Sequence, residues 1–504
     1  MFVAKTAMWR LCLLLSASLG LSACGDDDDK AASGGDVPPG GAASGVSIDD
    51  AYGNIAVGIR GGTADVVVSA DADVALTVSC SASWLSVSKG LSSSKGELKY
   101  KVTCEPNDTD HRREAEVIFT CEGFADTVVV SQPCVYMPSD AKTLVGKIFA
   151  GVNIGNTMEV PTGETGWGNP KVSAEYVAGL KKLGFNAVRI PCAWHSYAGS
   201  APEYALDAEW LARVKEVVGY CIDNDMYVLL NSHWDTGWLE DNIFDAGLEE
   251  QIAAEQSAIW SQVADVFADT DEHLLFAGCN EPGMNETSSG GKKWDEAAVA
   301  RVVRYEQAFV DAVRASGGNN SLRCLVVQGL GTDIAETHDR MDVFPSDPAN
   351  RLIVEVHFYE PYQFALMEND ASWGKVFWYW GEGNHKAGSA HNPTWGEEGH
   401  IESQFAKMKK QFVDNGIPVI VGEYSTRIQT ADERSDKSEE FDNELHRASR
   451  AYYNRVVTRT AKNNGCAPFY WETGGDVSRV DGSAINQYAI DGIMEGAGEG
   501  VYPW

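Results

Sequence analysis

Two glutamates stand directly after apolar runs that are typical of buried strands. Residues 274–279 are apolar and lead to Asn280 and Glu281, while the apolar residues 418–422 lead to Glu423. Runs of this length and composition predict strands buried on both faces, and each would carry one carboxyl group at its carboxyl end. Two such groups on one face of a barrel can cleave a bond between sugars by acid-assisted chemistry.

Strands that alternate with helices must position these two residues. The predicted strands are residues 149–156, 186–191, 227–231, 274–279, 324–328, 352–357, 418–422 and 467–471. The predicted helices are residues 173–183, 211–222, 250–267, 294–314, 401–413 and 441–462. This order predicts an α/β fold, a (β/α)8 TIM barrel. A doubly wound sheet is the alternative, but no glycine-rich phosphate turn follows the first strand.

Polar or aromatic side chains stand at the ends of these strands. They are Arg189, His233, Asn280 with Glu281, His357 with Tyr359, Glu423 and Trp471. In a barrel these ends share one face, where Arg189 and the Tyr359 hydroxyl can donate to an ionised carboxylate. Asn280 and the two histidines can bond to sugar hydroxyls, and Trp471 offers a flat face to a sugar ring. A metal site at His233 is disfavoured, because no H-E-x-x-H pattern and no ligand cluster accompanies it.

Several of these residues lie in segments that resemble glycoside hydrolase family 5, a family of retaining endoglucanases. The segments are Asn280-Glu281-Pro282, Val188-Arg189-Ile190-Pro191 and Val421-Gly422-Glu423-Tyr424, within a match over residues 145–500. The resemblance implies that Glu281 is the proton donor and acid/base and that Glu423 is the nucleophile. It also implies that the other active-site residues are Arg189, His233, Asn280, His357, Tyr359 and Trp471. It implies no metal and no organic cofactor.

Three further segments resemble subfamily 4, which holds endo-β-1,4-glucanases, lichenases and xyloglucanases. They are residues 153–157, 164–170 and 356–359. The first of them adds Asn156 to the expected substrate-binding residues. Many relatives carry two successive histidines after the third strand, where this chain has His233 and Trp234. The matching catalytic histidine is His233.

Aromatic residues are frequent after the third and sixth strands. They are Trp238, Phe358, Tyr362, Trp373, Trp378, Trp380 and Trp395. Loops at these places can carry platforms on which sugar rings stack, but an individual ring can equally pin its own loop. Residues 359–400 show no strong periodicity, which predicts an elaborated loop that shapes a long cleft.

The first 45 residues predict export and anchoring. Lys5 and Arg10 precede the apolar residues 11–21, which are too few to span a bilayer. The following Cys24 completes a resemblance to a bacterial lipobox, so residues 1–23 are expected to be a signal peptide and Cys24 to carry lipid. Residues 24–45 form an acidic tether rich in glycine, alanine and serine. An acidic cluster here resembles the surface-export signal of Bacteroidetes lipoproteins, which predicts an outer-membrane lipoprotein facing outward. The alternative to the lipobox is an ordinary signal peptide with a chance cysteine. The alternative to the export signal is a solvated spacer, or an enteropeptidase-like tag that ends at Lys30.

The domain that follows this tether differs from the barrel in its pattern. Residues 46–136 contain short alternating runs broken by turn residues, which predict a small all-β, Ig-like sandwich. Residues 81–87 and 128–132 resemble the BACON domain of Bacteroidetes surface proteins. A carbohydrate-binding role and a spacer role both remain open for it. The catalytic domain is predicted to span residues 140–504.

The net charge restricts the partner. A charge of −33 disfavours nucleic acid, an anionic membrane face and polyanionic polysaccharides, because each would repel the protein. The chain is therefore predicted to be a monomeric, retaining endo-β-1,4-glucanase that acts on a neutral plant β-glucan. Xyloglucan is the first choice by analogy with BACON-bearing surface lipoproteins, while cellulose and mixed-linkage glucan stay open. An endo-β-mannanase and a catalytically silent surface glycan-binding lipoprotein are the alternatives.

Overall fold

The computed structural model describes residues 46–48, 53–70, 75–90, 97–109, 111–121, 124–430 and 441–504. The predicted signal peptide, the lipidation site Cys24 and the tether 24–45 lie outside the described residues. Within those ranges, no helix is both long enough and apolar enough to cross a membrane.

The region before the barrel is an all-β sandwich. Its strands are β1 (Ser47–Ile48), β2 (Asn54–Ala56), β3 (Gly62–Ser69), β4 (Thr77–Cys80), β5 (Leu85–Lys89), β6 (Glu97–Cys104), β7 (Arg113–Cys121) and β8 (Phe124–Gln132). They form two four-stranded sheets in the orders β1-β3-β6-β5 and β2-β8-β7-β4. Alternate side chains of both sheets, such as Val66 and Val117, are fully buried in one shared core. This confirms the predicted small all-β domain.

The remaining strands close into a parallel barrel. They are β9 (Gly151–Asn153), β10 (Ala187–Cys192), β11 (Tyr227–Ser232), β12 (Leu274–Ala277), β13 (Leu325–Gln328), β14 (Leu352–Phe358), β15 (Val419–Tyr424) and β16 (Cys466–Tyr470). Each strand pairs in parallel with the next, and β16 pairs with β9. Because parallel strands in a closed barrel are covered on both faces, these segments consist mostly of buried apolar residues. The predicted (β/α)8 barrel is confirmed.

Helices surround the barrel. The helices are α1 (Ala141–Lys147), α2 (Ala174–Lys182), α3 (Ala208–Asp223), α4 (Glu249–Val266), α5 (Met284–Ser288), α6 (Glu296–Ala315), α7 (Ile334–Arg340), α8 (Tyr362–Ala365), α9 (Glu398–Gln411), α10 (Asn443–Asn463) and α11 (Gln487–Glu499). Side chains such as Asp207, Asp295 and Asp442 accept backbone N–H groups at the starts of α3, α6 and α10. The six predicted helices correspond to α2, α3, α4, α6, α9 and α10.

The last helix, α11, is not apparent in the sequence because it is rich in glycine, which disfavours helices. Its glycines allow a close approach to α10. A Cβ on Gly492 would lie 2.2 Å from the Ala451 carbonyl oxygen, and a Cβ on Gly496 would lie 2.4 Å from the Arg455 carbonyl oxygen. Tertiary packing therefore overrides the low helical propensity of this segment.

The sandwich contacts the amino end of the barrel. The backbone N–H of Ile59 donates to Asp269 Oδ1 at 2.7 Å, and Arg60 pairs with Asp265. In the following linker, the N–H of Tyr136 donates to Asn319 Oδ1 at 2.8 Å. Asp265, Asp269 and Asn319 lie in or beside helix-to-strand connections, which are at the amino end of a parallel barrel. These contacts therefore lie opposite the end where the strand-end side chains gather.

Candidate active site

A register shift between β14 and β15 brings the reactive residues together. Val356 pairs with Val421, whereas His357 pairs with Glu423, so Gly422 is an extra residue in β15. A bulge of this kind re-aims the side chain that follows it. Glu423 consequently lies beside His357 at the carboxyl end of the barrel.

The two glutamates are close neighbours. One carboxylate oxygen of Glu281, one of Glu423 and one ring nitrogen of His357 all lie within 4.8 Å of one another. Retaining glycosidases place their carboxyl groups about 5–5.5 Å apart, whereas inverting enzymes leave about 6.5–9.5 Å for a water molecule. The side chain of Glu281 is 28% exposed and that of Glu423 only 7%. The spacing therefore suits retention, in two unequal environments.

Glu423 is held by two donors. Arg189 Nη1 donates to its Oε1 at 2.9 Å, and the Tyr359 hydroxyl donates to its Oε2 at 2.8 Å. Burial raises the pKa of Glu423, while His357, Arg189 and the Tyr359 hydroxyl act against that rise. Burial and Glu423 raise the pKa of Tyr359 well above its ordinary value, so the phenol keeps its proton and remains a donor.

Arg189 is itself fixed by neighbouring amides. It is fully buried, and Nη1 also donates to Asn153 Oδ1 at 3.0 Å while Nη2 donates to Asn280 Oδ1 at 2.7 Å. The Asn153 amide in turn donates to the Gly422 carbonyl at 2.8 Å. Because Arg189 occupies the Asn280 oxygen, the amide NH2 is the part of Asn280 that can contact a sugar hydroxyl.

His357 lies among three carboxylates. Its Nδ1 is 2.8 Å from Glu281 Oε1, and its Nε2 is 3.2 Å from Glu355 Oε1. Burial alone would lower the pKa of His357, but Glu423, Glu281 and Glu355 together raise it to about 10. The imidazolium is thus charged near neutral pH, and both of its nitrogens donate.

This protonation also bears on metal binding. Glu281, His357 and Glu423 are the one group in the described residues whose spacing could hold a metal ion. A metal needs a neutral imidazole with a free lone pair. Both nitrogens of His357 instead face carboxylates, and both oxygens of Glu423 accept from Arg189 and Tyr359. The donor set suits hydrogen bonding to carboxylates and does not fit a metal.

His233 and Trp471 form one wall of the site. Their rings are parallel within 7° and their centroids lie 5.7 Å apart. Burial lowers the pKa of His233 well below its ordinary value, and Arg189 and His357 lower it further, so the ring is neutral. Both residues line a cleft of about 580 Å³, together with Asn280, Glu281, His357, Tyr359 and Glu423. The structure thus brings the predicted strand-end side chains together around one cleft. Arg189 is the exception, since it is fully buried and contacts the cleft residues Glu423 and Asn280.

Asn156 is placed differently. It lies in the loop after β9 with φ of 59°, and its N–H donates to the Glu159 carboxylate while its carbonyl accepts from Asn169 Nδ2. It is not among the described residues that line the cleft. The same loop packs behind the cleft, because a Cβ on Gly155 would lie 2.9 Å from the Trp471 ring. The substrate-binding role of Asn156 stays a prediction.

The loop aromatics divide into two groups. Trp378 and Trp380 are fully buried; Trp378 stacks on His391 with centroids 3.4 Å apart, so it pins its loop. Trp238 and Phe358 are also buried. Tyr362 and Trp373 are exposed, with ring centroids 6.0 Å apart, and Tyr362 lines the cleft. Trp395 is exposed as well.

Two buried acids near the site were not predicted from the sequence. Glu355 lies inside β14, where a charged residue interrupts an apolar run and was the available signal. Glu240 lies in the loop after β11, and its carboxylate accepts the N–H of Asn280 at 3.0 Å while its carbonyl accepts that of Gly283 at 2.8 Å. Burial first, and then Glu281, raise the pKa of Glu240 to about 8. Nothing in its loop sequence indicated this.

A closed (β/α)8 barrel with paired carboxyl groups at the carboxyl ends of its strands is the architecture of a glycoside hydrolase. Comparison with protein families agrees: residues 151–476 match the model described as cellulase (glycosyl hydrolase family 5). The chain belongs to glycoside hydrolase family 5 and is a retaining glycoside hydrolase, as is typical of that family. Residues 74–133 match the BACON model, described as a putative binding domain.

Individual relatives extend this comparison. A xyloglucan-specific endo-β-1,4-glucanase of Bacteroides ovatus is 31% identical over 90% of this chain and 91% of its own length. A family 5 xyloglucan-specific β-1,4-glucanase from a ruminal metagenomic library, solved in complex with XXLG, has a TM-score of 0.66 and 36% identity over 72% of this chain and 98% of its own. A broad-specificity endoglucanase of Bacteroides salanitronis has a TM-score of 0.61 and 32% identity over 72% of this chain and 96% of its own.

Proposed function

We propose that this protein is a retaining endo-β-1,4-glucanase that cleaves internal bonds of xyloglucan. The observation that carries the proposal is the cluster of Glu281, His357 and Glu423 within 4.8 Å, with Arg189 and Tyr359 donating to Glu423. Two fixed donors favour the ionised form of a carboxylate. Glu423 is therefore assigned as the nucleophile, and the more exposed Glu281 as the proton donor.

The reaction follows from this assignment. Glu423 attacks the anomeric carbon and forms a glycosyl ester, while Glu281 gives its proton to the departing glycosidic oxygen. Glu281, now ionised, then takes a proton from a water molecule that attacks the anomeric carbon. This second step releases Glu423 and restores the proton on Glu281, so the anomeric configuration is retained.

Three features support xyloglucan as the substrate. Two of the similar proteins are named as xyloglucan-specific glucanases. The net charge of −33 suits a neutral polymer. The exposed rings of Tyr362 and Trp373 offer apolar surface for sugars beside the cleft. The broad specificity of a third relative favours cellulose or mixed-linkage glucan as a second activity.

Release of reducing ends measures the proposed hydrolysis and its dependence on the two glutamates directly. Wild type, Glu281→Gln and Glu423→Ala should be assayed on xyloglucan, barley β-glucan, carboxymethylcellulose and glucomannan, with the exposed α9 variant Glu402→Gln as control. Xyloglucan should give the highest kcat/KM, and only the first two variants should lose activity. Preference for glucomannan would replace the proposal with a mannanase. Undiminished turnover in Glu281→Gln or Glu423→Ala would refute the site, and binding without hydrolysis by the wild type would indicate a silent glycan-binding protein.

We further propose that the protein is a monomeric lipoprotein of the outer membrane, anchored through Cys24. The lipobox-like residues before Cys24 and the acidic residues after it support this. A fatty-acid label should enter the wild type and not Cys24→Ala, and protease added to intact cells should remove the labelled protein. A labelled Cys24→Ala variant would contradict the anchor. Light scattering should give the mass of one chain.

A further inference from the structure

The unpredicted acid Glu355 lies directly beneath the proposed catalytic pair. It is fully buried within β14, and the other residues of that strand are apolar apart from His357. A buried carboxylate is costly unless opposite charges and hydrogen bonds compensate it. The contacts of Glu355 therefore indicate what it does.

Three side chains face this carboxylate. Arg189 Nε is 2.9 Å and His357 Nε2 is 3.2 Å from its Oε1, while Gln328 Nε2 donates to its Oε2 at 2.7 Å. The two cations that contact Glu355 are the same two that contact Glu423 and Glu281. Glu355 thus connects to both proposed catalytic residues through one intermediate side chain each.

The strand that carries Glu423 is shaped around Glu355. Gly422 is the extra residue of the bulge in β15, and a Cβ at this position would lie 1.8 Å from Glu355 Oε1. No real side chain tolerates such a distance, so Gly422 leaves the space that the carboxylate fills. The bulge that aims Glu423 and the burial of Glu355 are therefore one arrangement.

The charges of four residues in this cluster balance one another. Arg189 and His357 contribute two positive charges, and Glu355 and Glu423 contribute two negative charges. His233 also faces His357, and its ring is neutral. The other titratable groups that face Glu281 or Glu355 are Glu240, Tyr359, Glu306 and Cys279.

These surrounding groups do not upset the balance near neutral pH. Burial raises the pKa of Glu240 and that of Glu306 to about 8, so both are mostly uncharged. Burial also raises the pKa of the Tyr359 phenol and of the Cys279 thiol well above their ordinary values. The negative charges of Glu355 and Glu423 consequently offset the positive charges of Arg189 and His357.

We propose that Glu355 is a positioning residue that orients Arg189 and His357 and, by its negative charge, keeps His357 a charged donor to Glu281. This proposal rests on the proposed role of Glu281 as the proton donor. Glu355 touches no substrate. It acts through the two cations that lie between it and the reacting carboxyl groups.

Removing the charge while keeping the shape tests this role. In Glu355→Gln one of the carboxylates beside His357 is lost, so the imidazolium should lose its proton at lower pH. The alkaline limb of the kcat/KM profile on xyloglucan should move down by about one pH unit or more. Glu355→Asp keeps the charge, so the alkaline limb of its kcat/KM profile should stay in place even if kcat falls. Glu306→Gln is a matched control, because it changes another buried acid near Gln328, and its limb should also stay.

The leaving group provides a second measurement. A β-cellobioside of 2,4-dinitrophenol needs no proton donor in the first step. Glu355→Gln at neutral pH should therefore lose much more activity on xyloglucan than on this aryl glycoside. An equal loss on both substrates, with an unmoved alkaline limb, would overturn the proposal and leave Glu355 with a purely structural role.

A titration without turnover separates this proposal from the proposed function. Protein labelled with ¹⁵N in its histidine rings allows the His357 signal to be assigned by its absence in His357→Asn. That signal should titrate at lower pH in Glu355→Gln than in the wild type, whichever polymer is cleaved. If Glu355→Gln does not fold, the His357 signal in Glu355→Asp must titrate as in the wild type. A shift in Glu355→Asp, or no shift in Glu355→Gln, would contradict the inference.

Discussion

The two ends of the barrel use the same charged residue types for different purposes. At the carboxyl end, Arg189 bonds to the carboxylate of Glu423, and both are buried beside an open cleft. At the amino end, Arg351 donates to the carbonyls of Met137 and Ser139, so its charged side chain fixes the backbone that leads into the barrel. Charges that face each other beside a cleft shift one another's proton affinity, whereas charges that face backbone fix the chain. The partner of a charge, more than its type, therefore separates catalysis from scaffolding in this barrel.

Loss of the nucleophile should produce the largest effect. Glu423→Ala should reduce kcat on an aryl β-cellobioside by roughly 10⁶-fold, as loss of a catalytic nucleophile does elsewhere. Azide can enter the space left by the carboxylate and attack the anomeric carbon directly. Activity should then return in part, with an α-glycosyl azide as the product by NMR. A β-configured azide from this variant would show that Glu423 is not the nucleophile.

Loss of the proton donor should reduce activity less than loss of the nucleophile does, and the reduction should depend on the leaving group. Glu281→Ala should reduce activity on xyloglucan by about 10²–10⁴-fold, the usual contribution of general acid catalysis. With a dinitrophenyl leaving group the first step should be nearly unaffected, so that a burst of phenolate precedes slow turnover. Equal losses on both substrates would mean that the two glutamates do not divide the work as their different exposure suggests.

Sequence alone predicted the strands and the residues at their ends, because buried parallel strands leave long apolar runs and the polar residue that follows is conspicuous. It did not predict Glu355. The importance of that residue depends on Gly422 and the bulge in β15, which bring distant positions into contact. The aromatic loops show the same limit. Trp373 and Trp378 lie in one segment, yet Trp373 is exposed whereas Trp378 is buried by tertiary packing that includes His391 and Phe441.

An exposed ring at the carboxyl end should affect binding and not chemistry. Trp373 is 64% exposed beside Tyr362, and a sugar that stacks on it gains about 1 kcal/mol. Trp373→Ala should therefore raise KM for xyloglucan about fivefold with little change in kcat. Phe124→Ala, an exposed ring on the sandwich, is the matched control and should leave both constants unchanged. A comparable rise in KM for Phe124→Ala would show that the sandwich also binds the polymer.

A substitution at the amino end of the barrel should have the smallest effect on activity. Glu272 accepts the Ser139 N–H at 2.8 Å and Lys147 Nζ at 2.6 Å. Burial alone would raise the pKa of Glu272, but Lys147 and Ser139 outweigh it and lower that pKa. A lowered pKa in the folded state contributes stability above the unfolded pKa of about 4.3 and loses it as the pH falls further.

Glu272→Gln should therefore lower the free energy of unfolding by about 1–3 kcal/mol at pH 7. Thermal unfolding from pH 7 to pH 3 should show this difference shrinking below pH 4, because protonation removes the same charge from the wild type. The kcat on xyloglucan should be unchanged where both proteins are folded. A large loss of kcat without a loss of stability would mean that charge at the amino end reaches the catalytic cluster, and the separation between the two ends of the barrel would not hold.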